Sequence, residues 1–206
     1  MKKSLKKLVI DTAIKYFYLA LLDGDNLVEE IYELSEKDHS QSLMPSIEKL
    51  LNNHDLKLRD LDEVIVGIGP GSYTGVRIGV VVGKMIAFLN NITCYSVSSL
   101  ALIASSSKAK NVLAYIDARR GNGFLGVYSN EDTFHVVIED TFKNFEEFKA
   151  SLDFEYEVVS YGKPDILKIL NSNLLTKIDN IHELVPNYLQ LTEAERNKND
   201  NKKAWS

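Results

Sequence analysis

The hydrophobic pattern along this 206-residue chain switches several times between a period of two and a period near 3.6, and each switch marks an element. Residues 6–34 read as three strands. The first is the short apolar run KLVIDT, and YFYLALLDGDNLVEEIYEL is two runs folded around Asp23-Gly24-Asp25-Asn26, which is hairpin chemistry. The segment DHSQSLMPSIEKLLNNHDL follows, with Leu43, Ile47, Leu50 and Leu51 at helical spacing. Asp38 or Ser40 serves as its cap, and Pro45 is tolerated because it lies within the first two turns. VIVGI at 64–68 is continuously apolar, as expected of a strand covered on both faces. GPGSYT then opens a helix from about Thr74 to Asn90, and ITCYSV forms a fifth strand.

The second half repeats the theme. SSLALIASS predicts a helix and NVLAYIDA a strand that, like the first, ends in an aspartate. GFLGVYSN and TFHVVIED predict a hairpin around Asn130-Glu131-Asp132. A helix near 144–151, a strand over EYEVVSYG and a helix from Pro164 complete the series. The expected fold class is α/β, two lobes built from duplicated βββαβα units. The boundaries are 1–97 for the N-terminal lobe, 98–190 for the C-terminal lobe and 191–206 for a polar tail that includes Lys198, Lys202, Lys203 and Trp205.

The loop GIGPGSYTGVRIG at 67–79 carries the strongest local signal. Glycines at a strand-to-helix turn let backbone N–H groups meet an anion. Neither named phosphate loop fits, however: Gly75 is followed by Val76 and Arg77 rather than Lys-Ser/Thr, and a G-x-G-x-x-G starting at Gly69 would need glycine where Thr74 stands. The plain reading is a sharp turn with Ser72 or Thr74 capping the helix. That reading does not explain Gly75, Gly79, Gly83 and Ala87, which fall every fourth residue and form a stripe without side chains. Each helix-interior glycine costs about 1 kcal/mol against alanine, so another backbone is expected to come close, from within the chain or from a partner. Arg77, in a first turn where the helix dipole disfavours a cation, is expected to meet a carboxylate or phosphate.

Composition narrows the function classes. A formal charge of -5 argues against a self-sufficient, high-affinity nucleic-acid binder, and the single cysteine, Cys94, excludes a disulfide framework or a zinc ribbon. Only Leu8, Val9 and Ile10 follow the basic MKKSLKK before Asp11, too few for a secretory core. Gly75 to Leu89 is broken by Arg77 and Lys84, so it reads as a buried helix of a cytoplasmic protein. Four histidines, His39, His54, His135 and His182, offer no His-x-x-x-His pair, and no Gly-x-Ser-x-Gly surrounds a serine. No metal, cofactor or catalytic group is therefore expected.

GPGSYTGVRIG resembles the GPGS-aromatic-TG-hydrophobic-RIG signature of the bacterial TsaB (YeaZ) family. VIDT at 9–12, HSQSLMPSI at 39–47, IDARRG at 116–121 and PNYLQ at 186–190 are similar to further family segments, in order and spacing. Two positions depart from the family pattern: Asn122, where the family often has Glu, and Gln190, where it has Arg. The resemblance implies an actin/sugar-kinase-like (ASKHA) fold and a non-catalytic scaffold for the paralogue TsaD, with the ATPase TsaE joining the pair. The reaction it implies is threonylcarbamoylation of the adenosine next to the anticodon of ANN-decoding tRNAs, with tRNA contacted indirectly. It further implies a heterodimer interface on the two helices carrying His39, Ser40, Leu43, Met44, Pro45 and Ile47, and Gly75, Val76, Gly79, Val80, Gly83 and Ala87. A vestigial nucleotide or anion site would comprise Asp11, Thr12, Ser72, Thr74, Arg77 and Asp117. The alternatives are an ASKHA-type ATPase or phosphotransferase, with Asp11 and Asp117 facing one cleft, and a self-associating interaction module.

Overall fold

A computed structural model of the chain describes residues 4–35 and 39–189. The chain builds β1 (Lys6–Asp11), β2 (Tyr16–Asp23), β3 (Asn26–Leu34), α1 (His39–Asn52), β4 (Glu63–Gly67), α2 (Tyr73–Asn90) and β5 (Thr93–Val97). It continues with α3 (Ser99–Ser105), β6 (Asn111–Asp117), β7 (Asn122–Ser129), β8 (His135–Asn144), α4 (Phe145–Ala150), β9 (Glu157–Val159), α5 (Ile166–Leu170) and β10 (Thr176–Ile178). Two sheets result, in the orders β10-β5-β4-β1-β2-β3 and β8-β7-β6-β9. Each sheet has an antiparallel hairpin (β1-β2, β6-β7) next to a parallel pair (β1-β4, β6-β9), so the expected duplication is present as topology.

The inner strands are largely apolar because each sheet is covered on both sides, whereas the edge strands β3 and β8 keep charged and exposed positions. Val9, Tyr18, Ala20 and Leu22 face one way into a core shared with Leu100–Ala104 of α3 and Val112 and Ala114 of β6. Their neighbours Leu8, Ile10, Phe17, Leu19 and Leu21 face α1 and α2. Leu113, Leu125 and Val127 carry α4 on the outer face of the second sheet. The layers therefore run helix, sheet, helix, sheet, helix. All seven residues of α3 are buried at the centre, where two adjacent serines join the lobes. Ser99 Oγ donates to Asp11 at the end of β1 (2.7 Å), and Ser98 Oγ donates to Asp140 on β8.

Three features differ from the sequence expectation. The strand expected over 155–162 pairs only at Glu157–Val159, against Val112–Ala114. Strand β10 and the 3-10 turn Ile181–Glu183 were not anticipated. Residues 176–184 lie within the span expected to form the second lobe, yet β10 pairs antiparallel with β5, and Ile178, Ile181 and Leu184 join the core of the first. The 191–206 tail and Gln190 lie outside the described residues.

Candidate functional site

Helix α2 starts where Ser72 caps it, its Oγ accepting from the Gly75 N–H at 3.3 Å, and ends at Asn91 in the left-handed region. Thr74, the other candidate cap, stands exposed beyond that bond. The glycine stripe turns inward. A Cβ on Gly75 would lie 2.3 Å from the Thr12 carbonyl oxygen, one on Gly79 2.4 Å from Thr12 Oγ1, and one on Gly83 2.4 Å from Val66 Cγ2. Thr12 uses that proximity: its hydroxyl donates to the Gly75 carbonyl (2.7 Å) and accepts from the Gly79 N–H (3.1 Å), bridging one helical turn. The party that approaches is thus the chain's own: the backbone and side chain of Thr12 just after β1, and the Val66 side chain near the end of β4.

This corrects the expected partner interface for eight of its twelve residues. Gly75, Val76, Gly79, Val80, Gly83 and Ala87 are all buried within the chain, as are Leu43 and Ile47 of α1, and they have no surface left for a second protein. Ser40 and Pro45 are exposed and Met44 is half-buried; of His39, only its backbone at the start of α1 is described. The reading of Gly75–Leu89 as a buried helix holds for one face only. Val81, Met85, Phe88 and Leu89 are 52%, 54%, 57% and 71% exposed. They fall at i, i+4, i+7 and i+8, a helical apolar stripe facing solvent. The signal was present in the sequence at the same period as the glycines, offset by two residues. Beside it, Lys84 Nζ holds the carbonyls of His182 (2.7 Å) and Leu184 (3.3 Å), fastening the C-terminal segment across α2.

The expected anion site is not assembled. Asp11 is 4% exposed and accepts from Ser99 Oγ and from the backbone N–H groups of Thr12 and Ala13. Burial pushes its carboxyl up to about 6 against those hydrogen bonds, which pull it down. Asp117 is exposed, accepting from the Tyr115 hydroxyl (3.2 Å) and the Arg119 N–H (2.9 Å). The two aspartates therefore do not share a site. Asp11 is locked into the lobe junction, and Asp117 stands on a cleft. Within the chain the partner of Arg77 is aromatic: its guanidinium lies 5.1 Å from the Tyr73 ring centroid and donates to the Tyr73 hydroxyl at 3.0 Å.

That cleft, about 1120 Å³ in volume, lies between the lobes. Ala13–Lys15, Ser72 and Tyr73 line it from the first lobe, Tyr115–Arg120 and Tyr161 from the second, and Asn187 and Tyr188 complete the lining. Tyr73 and Tyr188 stack at 5.1 Å, Tyr115 stacks on Phe145 at 4.1 Å, and Lys15 Nζ sits 4.5 Å from the Tyr161 ring centroid. Sequence reasoning missed these tyrosines because they come from four separate segments and share no spacing.

Among the described residues no group of three His, Cys, Asp or Glu side chains lies close enough to hold a metal ion, and no helix is long and apolar enough to cross a membrane. His135 opens β8 with its ring Nδ1 near the Thr133 carbonyl, exposed. Cys94 is buried on β5, where desolvation pushes its thiol up to about 11. We therefore expect Cys94 to resist iodoacetamide at pH 7.5 in the native protein and to react readily in urea. Fast native labelling would show that β5 opens.

Comparison with known proteins agrees with this architecture. Residues 31–179 match the family described as TsaD, tRNA N6-adenosine threonylcarbamoyltransferase. The tRNA threonylcarbamoyladenosine biosynthesis protein TsaB of Bacillus subtilis is 32% identical over 218 residues, covering 91% of this chain and 95% of that protein. TsaB of Haemophilus influenzae is 31% identical, with 83% and 70% covered. YeaZ from Pseudomonas aeruginosa superposes with a TM-score of 0.75 at 22% identity, over 90% of this chain and all of that one, and supports the two-lobed ASKHA-like fold. The motif set, the duplicated two-sheet architecture and near full-length similarity agree: the chain belongs to the TsaB (YeaZ) family of tRNA threonylcarbamoyladenosine biosynthesis proteins.

Proposed function

We propose that this protein is a non-catalytic subunit that pairs with TsaD in a cytoplasmic tRNA threonylcarbamoylation complex, which the ATPase TsaE joins. The observation that carries the reading is the solvent-facing stripe Val81, Met85, Phe88 and Leu89 on α2. Four large apolar side chains on one exposed helical face are a poor surface for a free protein and a suitable one for a partner helix. The inward glycines contribute indirectly. By seating α2 hard against β1 and β4, they hold the outward stripe rigid, so that docking orders few side chains. Without TsaD, the same face would pair with a second copy of the chain.

The test is co-purification with TsaD from the same organism, comparing wild type with Met85→Asp/Phe88→Asp. Both side chains are more than half exposed, so the variant should unfold within about 1 kcal/mol of wild type. Its affinity for TsaD should fall at least about tenfold, since buried apolar anchors dominate such interfaces. Undiminished binding would place the interface elsewhere. Robust ATP hydrolysis or tRNA modification by the isolated chain would overturn the scaffold role.

A further inference from the structure

The cleft between the lobes has a chemistry that docking of α2 does not use. Lys15, Arg119 and Arg120 bring three cations to it against the single carboxylate of Asp117, in a chain whose formal charge is -5. Asp117 is already engaged by Tyr115 and Arg119. Four tyrosines, Tyr73, Tyr115, Tyr161 and Tyr188, line the same space, and Tyr73, Tyr161 and Tyr188 are 48%, 54% and 43% exposed, so ring surface remains open to a ligand. Arg119 and Arg120 sit in the left-handed region, at φ 70° and 55°. The turn between β6 and β7 asks for that conformation, and it sets where the two side chains leave the backbone.

A cationic rim with open aromatic rings fits a ligand that alternates negative charge with flat rings. Guanidinium groups hold phosphate oxygens through paired N–H donors, and tyrosine faces stack bases of any identity. Size selects among such ligands. At about 1120 Å³ the cleft exceeds the roughly 300–1,000 Å³ that encloses one small molecule, so it has room for more than a single nucleotide. We propose that the interlobe cleft binds a short unpaired segment of RNA, bases stacked on the cleft tyrosines and phosphates held by Lys15, Arg119 and Arg120. This rests on the reading of the chain as a tRNA-modification subunit and extends it from an indirect to a direct contact with RNA.

The experiment is fluorescence anisotropy of an end-labelled, mixed-sequence hexaribonucleotide titrated with the full chain at low salt. The same sequence as a duplex and AMP as a competitor serve as the other two arms. We expect saturable binding of the single strand, weaker binding of the duplex, and competition by AMP only at much higher concentration. Tyr188→Ala should weaken binding about tenfold, the loss of one stacked base, and Tyr161→Ala likewise. Arg120→Gln should lower the slope of log affinity against log salt by about 0.7, one phosphate contact on a single strand. Absence of binding, indifference to all three substitutions in still-folded variants, equal affinity for the duplex, or AMP binding as tightly as the hexamer would each overturn the proposal. Co-purification with TsaD on the same preparations separates the two readings. Intact association without RNA binding sinks this inference alone, whereas RNA binding without association sinks the docking reading and leaves this one standing.

Discussion

Gly79→Ala is expected to destabilise the first lobe by about 3 kcal/mol, although glycine to alanine within a helix ordinarily gains about 1 kcal/mol. The sign reverses because the new methyl carbon would lie 2.4 Å from Thr12 Oγ1. The hydroxyl must move, and the move breaks its contacts with the Gly75 carbonyl and the Gly79 N–H. Overpacking costs about 1–3 kcal/mol, and stranding a buried hydroxyl costs about 1–3 kcal/mol more. Against a total stability of about 5–15 kcal/mol that is a large fraction. Urea unfolding followed by far-UV circular dichroism reads the loss directly. A double-mutant cycle locates it: Thr12→Ala removes the colliding hydroxyl, so the double variant should be less damaged than the two single effects added, by more than about 1 kcal/mol. Strict additivity, or a gain in stability for Gly79→Ala alone, would mean that α2 does not press on Thr12.

The second large effect is a pH dependence centred on Asp11. Its carboxyl titrates near 6 in the folded protein, above the ordinary 3.8, because burial disfavours the anion more than Ser99 and the backbone N–H groups favour it. Below about pH 4 the group is protonated in both states and its contribution to stability is complete. Between 4 and 6 the unfolded chain loses its proton while the folded chain keeps it, so stability falls as pH rises. Two pH units correspond to about 3 kcal/mol at full effect. Asp140 is shifted upward by burial in the same direction, so wild type alone would not isolate Asp11. Asp11→Asn does. The variant should show a shallower fall in urea midpoint between pH 4 and pH 6.5, with the Asp140 contribution common to both proteins. Identical slopes would show that water reaches Asp11.

Much of this fold is legible in the sequence because both sheets are covered on two sides. Runs such as KLVIDT and VIVGI then carry little besides apolar residues, and turn chemistry at Asp23–Asn26 and Asn130–Asp132 brackets them. Strand β10 escaped because Thr-Lys-Ile is too short to show a period; it is a strand only because β5 offers it an edge. The glycine stripe announced a close approach without naming the other party. Any backbone satisfies glycine, so a neighbouring strand and a foreign helix leave the same trace. Val81, Met85, Phe88 and Leu89 were misread for a related reason, since apolar residues at helical spacing look alike whether a core or a partner covers them. The paired aspartates misled through position. Asp11 and Asp117 end equivalent strands, yet Asp11 turns into the junction toward Ser99. Gly67 permits that turn, because a Cβ there would lie 2.1 Å from Asp11 Oδ1.

The return of residues 176–184 to the first sheet has a consequence for how the protein is made. A ribosome releases Thr93–Val97 about 80 residues before it releases the strand that pairs with it. At roughly 5–20 residues per second, that leaves the edge of β5 uncovered for about 4–16 s in every round of synthesis. During that interval the nascent chain presents an open row of N–H and C=O groups next to an unfinished apolar face, a surface that chaperones retain and that neighbouring nascent chains can capture. The first lobe is the earlier to be synthesised and the later to be completed, and a fragment ending at Val97 would remain in that unfinished condition permanently.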